Sequence, residues 1–249
     1  NDVRNSSRQI WRWRDWIIRS LNEDKPYGQM IIEMLAGDEI APNDPDVVVA
    51  TGFIVRNCYR LNFHTWKQDM VEHTGKAFLG LTFNCALCHD HKYDPITHED
   101  YFRFRAFFEP LRLRHDRMPG EPDPGPYVEY DFDSDGHRPV QGGLARVYDE
   151  KLALTTPMYR LGDARDLIED KPPVSAGIPT FFGSEPLEIE PVDLPSLAWY
   201  PGVKPFIQEE EIATRAAAVN DAEADLKKSR HRAAELPGKL KQQEAALRK

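Results

Sequence analysis

The chain has 249 residues, 41% of them hydrophobic, with 32 basic and 41 acidic side chains and a net charge of −9. That length allows one large domain or two small ones with real cores, and without a basic excess to match a phosphate backbone no nucleic-acid partner is expected. No apolar run is long enough to span a bilayer, and the start NDVRNSSRQ has neither an initiator methionine nor a signal-peptide core, so the chain reads as a mature or excised piece of something longer.

In chain order, Ile10 to Leu21 places Trp13, Trp16, Ile17 and Leu21 on one helical stripe with arginines between them, which predicts a core-facing helix. A second helix is expected from Tyr27 to Leu35, stopped by Gly37 as its C-terminal cap. After the turn Asn43-Asp44-Pro45-Asp46, the apolar run VVVATGFIV fits a strand or a buried helix, and helix is the reading taken. Trp66, Met70, Val71, Ala77, Phe78 and Leu81 are compatible with a helix that delivers the chain to the segment NCALCHDHKYDP.

That segment holds Cys85 and Cys88 three apart, His89 directly after them and His91 two further on. C-x-x-C alone fits a redox disulfide or half a zinc site; with the adjacent histidine, C-x-x-C-H is the pattern of covalent haem attachment. Two thiols on neighbouring faces of a helical turn can form thioethers with the haem vinyl groups, and His89 can then reach the iron. A rival reading is a Cys3His structural zinc tetrahedron of Cys58, Cys85, Cys88 and His91, which alone gives Cys58 a task; otherwise Cys58 is a buried inert thiol. Beyond the motif, Thr97 to Asp100 resembles a capping box, and a helix through YFRFRAFF follows.

From Met118 the chain is dense in proline, glycine and aspartate and reads as a loop-rich strap with short strands. Within it Asp131, Asp133 and Asp135 have the spacing of a calcium loop, but Gly142 stands where the bidentate acid belongs. From Gln208 an Ala-, Glu- and Lys-rich stretch with Ile212, Ala216, Val219, Ala222 and Leu226 at three- and four-residue spacing, broken at LPGKL, predicts a helical hairpin or coiled-coil arm suited to docking a partner. The fold class expected is mainly α, in three parts: a helical domain over 1–117, the strap over 118–207 and the arm over 208–249.

The stretch AFLGLTFNCALCHDHKYDPITHEDYFRFRAFF resembles the signature of a planctomycete cytochrome-c-like domain family of unknown function, in which G-L-T precedes C-x-x-C-H-x-H-K, an aromatic residue and Asp-Pro-Ile. WRDWIIRSLNEDKPYGQM, LAGDE and ATGF upstream, and YRLGDARDLIEDKPPVSAGIP and LPSLAWYPGVKPFIQEE downstream, are also similar to that family. The resemblance implies a secreted multidomain protein of haem-binding character, with Cys85 and Cys88 as thioether residues, His89 as proximal iron ligand, and His91, Lys92, Asp94 and Pro95 as the matching flank. It supplies no substrate.

His91 on a helix would point away from His89, so a sixth iron ligand must come from elsewhere. His64 and His115 lead over His73, Met70 and Met118, and His73 stands where family members carry a threonine or similar residue. An open sixth position would favour catalysis. The function expected is one-electron transfer by haem c in the periplasm or outside the cell, with redox proteins or subunits of a larger assembly as partners through the arm. A haem-dependent redox enzyme and the zinc-site module are the alternatives.

Overall fold

A computed structural model of the chain describes residues 9–58, 62–124, 142–150, 155–183 and 187–247. It is mainly helical. Helix α1, Trp11–Asn22, buries Trp16 on its inner face, but Leu21 at the far end of the predicted stripe is 65% exposed because the helix outruns the core it packs on. Helix α2, Tyr27–Ile40, passes through Gly37 instead of stopping there. The helix kinks at Ala36, and Gly37 is required for contact, not for capping: a Cβ there would stand 2.8 Å from the Val47 carbonyl oxygen.

The apolar run after it is helical, as α3, Pro45–Val48, a 3-10 turn over Val49–Thr51, and α4, Gly52–Val55. Asp44 caps α3 by accepting a hydrogen bond from the Asp46 N–H, and Pro45 suits the first turn, where no N–H partner exists. Every residue from Val48 to Val55 is buried, which explains why the run lacks periodicity. Helix α5, Phe63–Thr74, opens at Asn62, whose side chain accepts from Thr65 N–H, and closes through a wide turn, Gly75–Leu79, ended by Gly80 at φ 67°. Helix α6, His98–Arg105, starts at the expected capping box: Thr97 and Asp100 exchange side-chain and backbone hydrogen bonds.

The chain on both sides of residue 117 contributes to one compact unit, Asn1–Trp199. Strand β1, Leu111–Asp116, pairs antiparallel with β2, Leu144–Asp149, from the strap, with Leu113 opposite Val147. Leu113 and Val147 sit in the same hydrophobic core as Trp16, Trp66, Phe83 and Phe102. Helix α7, Ser196–Trp199, ends the first compact unit, Asn1–Trp199. The second unit, Tyr200–Lys249, contains α8, Pro205–Leu247, a single 43-residue helix with Pro237 inside it rather than the hairpin that LPGKL suggests. Proline deletes one intrahelical hydrogen bond and strains the preceding turn without reversing the chain, so a long helix can bend there and continue.

Candidate functional site

The cysteine motif is held from below. Phe83 and Ala86 are fully buried, and the Phe83 ring stacks on Phe104 at 5.0 Å. Between and after them Asn84–Leu87 form a 3-10 turn. In such a turn residues three apart eclipse one another, so the spacing that buries Phe83 and Ala86 together also brings Cys85 and Cys88 to one side. They share a side rather than the neighbouring faces an α-helical turn would give. Cys85 is exposed, Cys88 half-buried, and neither is in a disulfide. The Cys88 thiol donates to the Leu161 carbonyl at 3.1 Å.

Three histidines follow, and their partners set their tautomers. Exposed His89 has Nδ1 2.7 Å from the Asp90 carbonyl oxygen. A carbonyl only accepts, so Nδ1 carries the proton and the Nε2 lone pair is left for another atom. His91 is the reverse: Nδ1 accepts from the backbone N–H groups of Asp94 at 2.8 Å and Tyr93 at 3.3 Å, which places the proton on Nε2. It also lies 3.5 Å from the Asp94 carboxylate. His91 therefore closes the loop over Tyr93 and Asp94 on itself, and its backbone N–H donates to the Ile96 carbonyl at 2.8 Å. His98 Nε2 donates to the Leu87 carbonyl at 3.0 Å, while its backbone N–H reaches Asp90 Oδ1 at 2.8 Å. Burial holds the His98 imidazole below the ordinary histidine range.

Behind the turn lies a buried ionic network that sequence reasoning missed. Lys67 Nζ, from α5, meets Glu109 Oε1 at 2.7 Å; Glu109 Oε2 meets Arg105 Nε, from α6, at 3.2 Å; and Arg105 Nη1 donates to His64 Nδ1 at 3.1 Å. Burial pushes the Glu109 carboxyl upward, but the Arg105 and Lys67 cations outweigh it and hold it below the usual carboxylate range. Burial, then the Arg105 charge, holds His64 below the ordinary histidine range. A guanidinium cannot accept, so His64 carries its proton on Nε2, which lies 3.0 Å from the Gly162 carbonyl oxygen. The Gln68 side-chain nitrogen also lies 2.9 Å from Nε2, but two donors face each other there and the contact adds no acceptor for the proton. Both nitrogens of His64 are thereby engaged.

The strap brings two consecutive carbonyls to this place: Leu161 for the Cys88 thiol and Gly162 for His64. Both residues are left-handed, at φ 50° and 71°, and Gly162 packs so closely on Leu87 that a Cβ would stand 2.5 Å from its Cγ. A leucine in that backbone region is strained. The only sequence signal for this is the Leu-Gly step in YRLGDARD, which reads as an ordinary turn.

The other predicted residues are scattered. Cys58 is fully buried in the core after α4, away from the exposed Cys85. Among the described residues no group of three or more His, Cys, Asp or Glu is arranged to hold a metal, so the four residues of the zinc tetrahedron are not brought together. His115 stands in β1 opposite Ala145. Met70 is buried in the core, and Met118 packs against it. Lys92 Nζ lies 5.2 Å from the centre of the Tyr93 ring. Asp131, Asp133 and Asp135 lie outside the described residues.

The matched part of the chain contains the motif. Residues 1–113 match the family PSCyt2, described as a protein of unknown function (DUF1549). The match ends inside β1, before the strap and the arm. No curated protein and no solved structure matches the chain. Among the described residues no helix is long and apolar enough to cross a membrane.

Proposed function

We propose that the chain is a c-type haem protein serving one-electron transfer outside the cytoplasm, with Cys85 and Cys88 as thioether residues and His89 as the proximal iron ligand. The observation that supports this reading is His89: its Nδ1 proton is held by a backbone carbonyl, the arrangement that orients a metal-ligating imidazole and leaves Nε2 to bind. Two thiols outside any disulfide on the same side of a 3-10 turn suit double thioether attachment. A haem bound there supplies the one-electron couple of its iron. The chain's own residues do the holding: Phe83 and Ala86 root the turn, and His91, Asp90 and His98 brace the loop that carries His89. Redox proteins or subunits of a larger assembly are the partners this reading requires.

A second reading, a haem-dependent redox enzyme, is favoured by His64. With its Nδ1 lone pair engaged by Arg105, His64 would serve a bound haem as a hydrogen-bond donor rather than as an iron ligand, a role suited to positioning a substrate.

The test is intact mass after denaturation of protein taken from its native host or made with a haem-attachment system. One added haem is expected, with a Soret band that survives acid-acetone extraction. Cys88→Ser should leave at most one thioether, and His89→Ala should shift the iron spectrum while covalent haem remains. An unmodified mass from the native host rejects the proposal. Carbon monoxide binding to the reduced form without loss of another ligand's bands supports the enzyme reading over simple electron transfer.

A further inference from the structure

Helix α8 carries a seam and a charge pattern that a solitary helix does not need. Ile212, Val219, Leu226, Ala233, Leu240 and Leu247 repeat at intervals of seven residues without a break. A strict seven-residue repeat drifts only slightly around a helix and is straightened by left-handed supercoiling about a partner. Ile212, Val219 and Leu226 are 68%, 57% and 51% exposed. Leu236, at the other core position of its heptad, is also exposed. The charges separate along the axis: residues 205–225 hold six acidic side chains and one basic, residues 226–243 six basic and one acidic. The bland account is compensation of the helix dipole, but that effect is confined to the first and last turns, whereas here whole halves are segregated.

We propose that α8 pairs with α8 of a second copy of this chain in an antiparallel coiled coil. A parallel pair would lay net −5 on −5 and net +5 on +5, whereas an antiparallel pair lays each half on its opposite, and the two-fold axis makes every such contact occur twice. With the axis near residue 224 three core layers match by size. Ile212 meets Leu236 of the partner subunit, Leu226 meets Ala222 of the partner subunit, and the long Arg215 stem falls opposite the small Ala233 of the partner subunit. On the flank, Glu211 approaches Lys239 of the partner subunit. Asp225 lies near the axis and there approaches its own copy, but Lys228 of the same helix lies 3.2 Å from its carboxylate. Pro237 stands outside the a and d seam.

The experiment is sedimentation of the full chain across concentration up to about 100 µM, paired with cross-linking. A monomer–dimer equilibrium is expected, and Leu226→Asp should weaken it at least about tenfold with helicity by circular dichroism unchanged. Reversing Arg230, Arg232 and Lys239 to Glu should weaken it similarly, and reversing Glu209, Glu211 and Glu223 to Lys in the same chain should restore it. A photo-cross-linker at Ile212, in a mixture of isotopically light and heavy chains, should map between chains to the peptide containing Leu236. A chain monomeric throughout, a dimer indifferent to Leu226→Asp, or cross-links joining Ile212 to the same position in the other copy would each overturn the proposal.

Discussion

The turn that carries Cys85, Cys88 and His89 and the network that lies behind it both present histidine to the same corner of the molecule, with opposite consequences. His89 is exposed and its Nδ1–H donates to a neutral carbonyl, which leaves the Nε2 lone pair available; His64 faces a guanidinium, so its Nδ1 lone pair is engaged. An imidazole's chemistry is thus decided by whether its neighbour donates or accepts. The second difference is dielectric. The network's charges are largely buried and depend on one another, whereas Cys85 and His89 of the motif are exposed to water.

The largest test of that contrast is Glu109→Ala. It leaves Lys67 and Arg105 buried without their shared carboxylate, and an unfolding free energy lower by about 3–5 kcal/mol is expected by denaturant titration.

Next is a dependence on pH. His64 and His98 are held below the ordinary histidine value, so the unfolded chain binds protons there first, and their stability is fully present above about pH 6.5 and lost as pH falls through it. Asp38 works in the other direction. Burial pushes its carboxyl up to about 7 against the Arg146 charge, and Arg146 itself is committed to Asp116 at 3.5 Å and to the Pro42 carbonyl at 2.8 Å. A raised carboxyl gives stability that is present at acid pH and lost as pH rises through its folded value. Asp38→Asn should therefore gain about 2 kcal/mol on the parent between pH 5 and pH 8, and thermal melts across that range should show the difference widening upward.

A smaller effect is expected at His91. His91→Ala strands the Asp94 and Tyr93 N–H groups, costing about 1–2 kcal/mol, while any haem spectrum stays nearly unchanged; loss of a low-spin spectrum would instead make His91 an iron ligand. The smallest is His89→Ala. With an exposed side chain whose one polar contact is to its neighbour's carbonyl, it should move stability by less than about 0.5 kcal/mol, so any large change in the iron spectrum of that variant belongs to the ligand and not to the fold.

Local features are legible in the amino-acid sequence. The capping box at Thr97 and the tightly spaced cysteines are short-range patterns, and each is where the sequence places it, whereas Asp44-Pro45, read as a turn, turns out to open helix α3. The reading of Gly37 as a helix stop fails because glycine serves close approach as well as capping, and only the position of the Val47 carbonyl distinguishes the two. Leu21 escapes the core that its stripe predicts because periodicity marks which face is apolar, not how far the core extends beneath it.

The sequence by itself determined the mainly helical class, the motif with its histidine, and the seven-residue repeat of the arm, since all three are written in spacings of a few residues. Only the tertiary structure decided that Arg105 would face His64, that Glu109 would sit between two cations, and that Leu161 and Gly162 would meet Cys88 and His64 across 73 and 98 residues of chain. Hydrogen-bond polarity and burial depend on which distant groups share a few ångströms, and no local pattern in the chain encodes those neighbours.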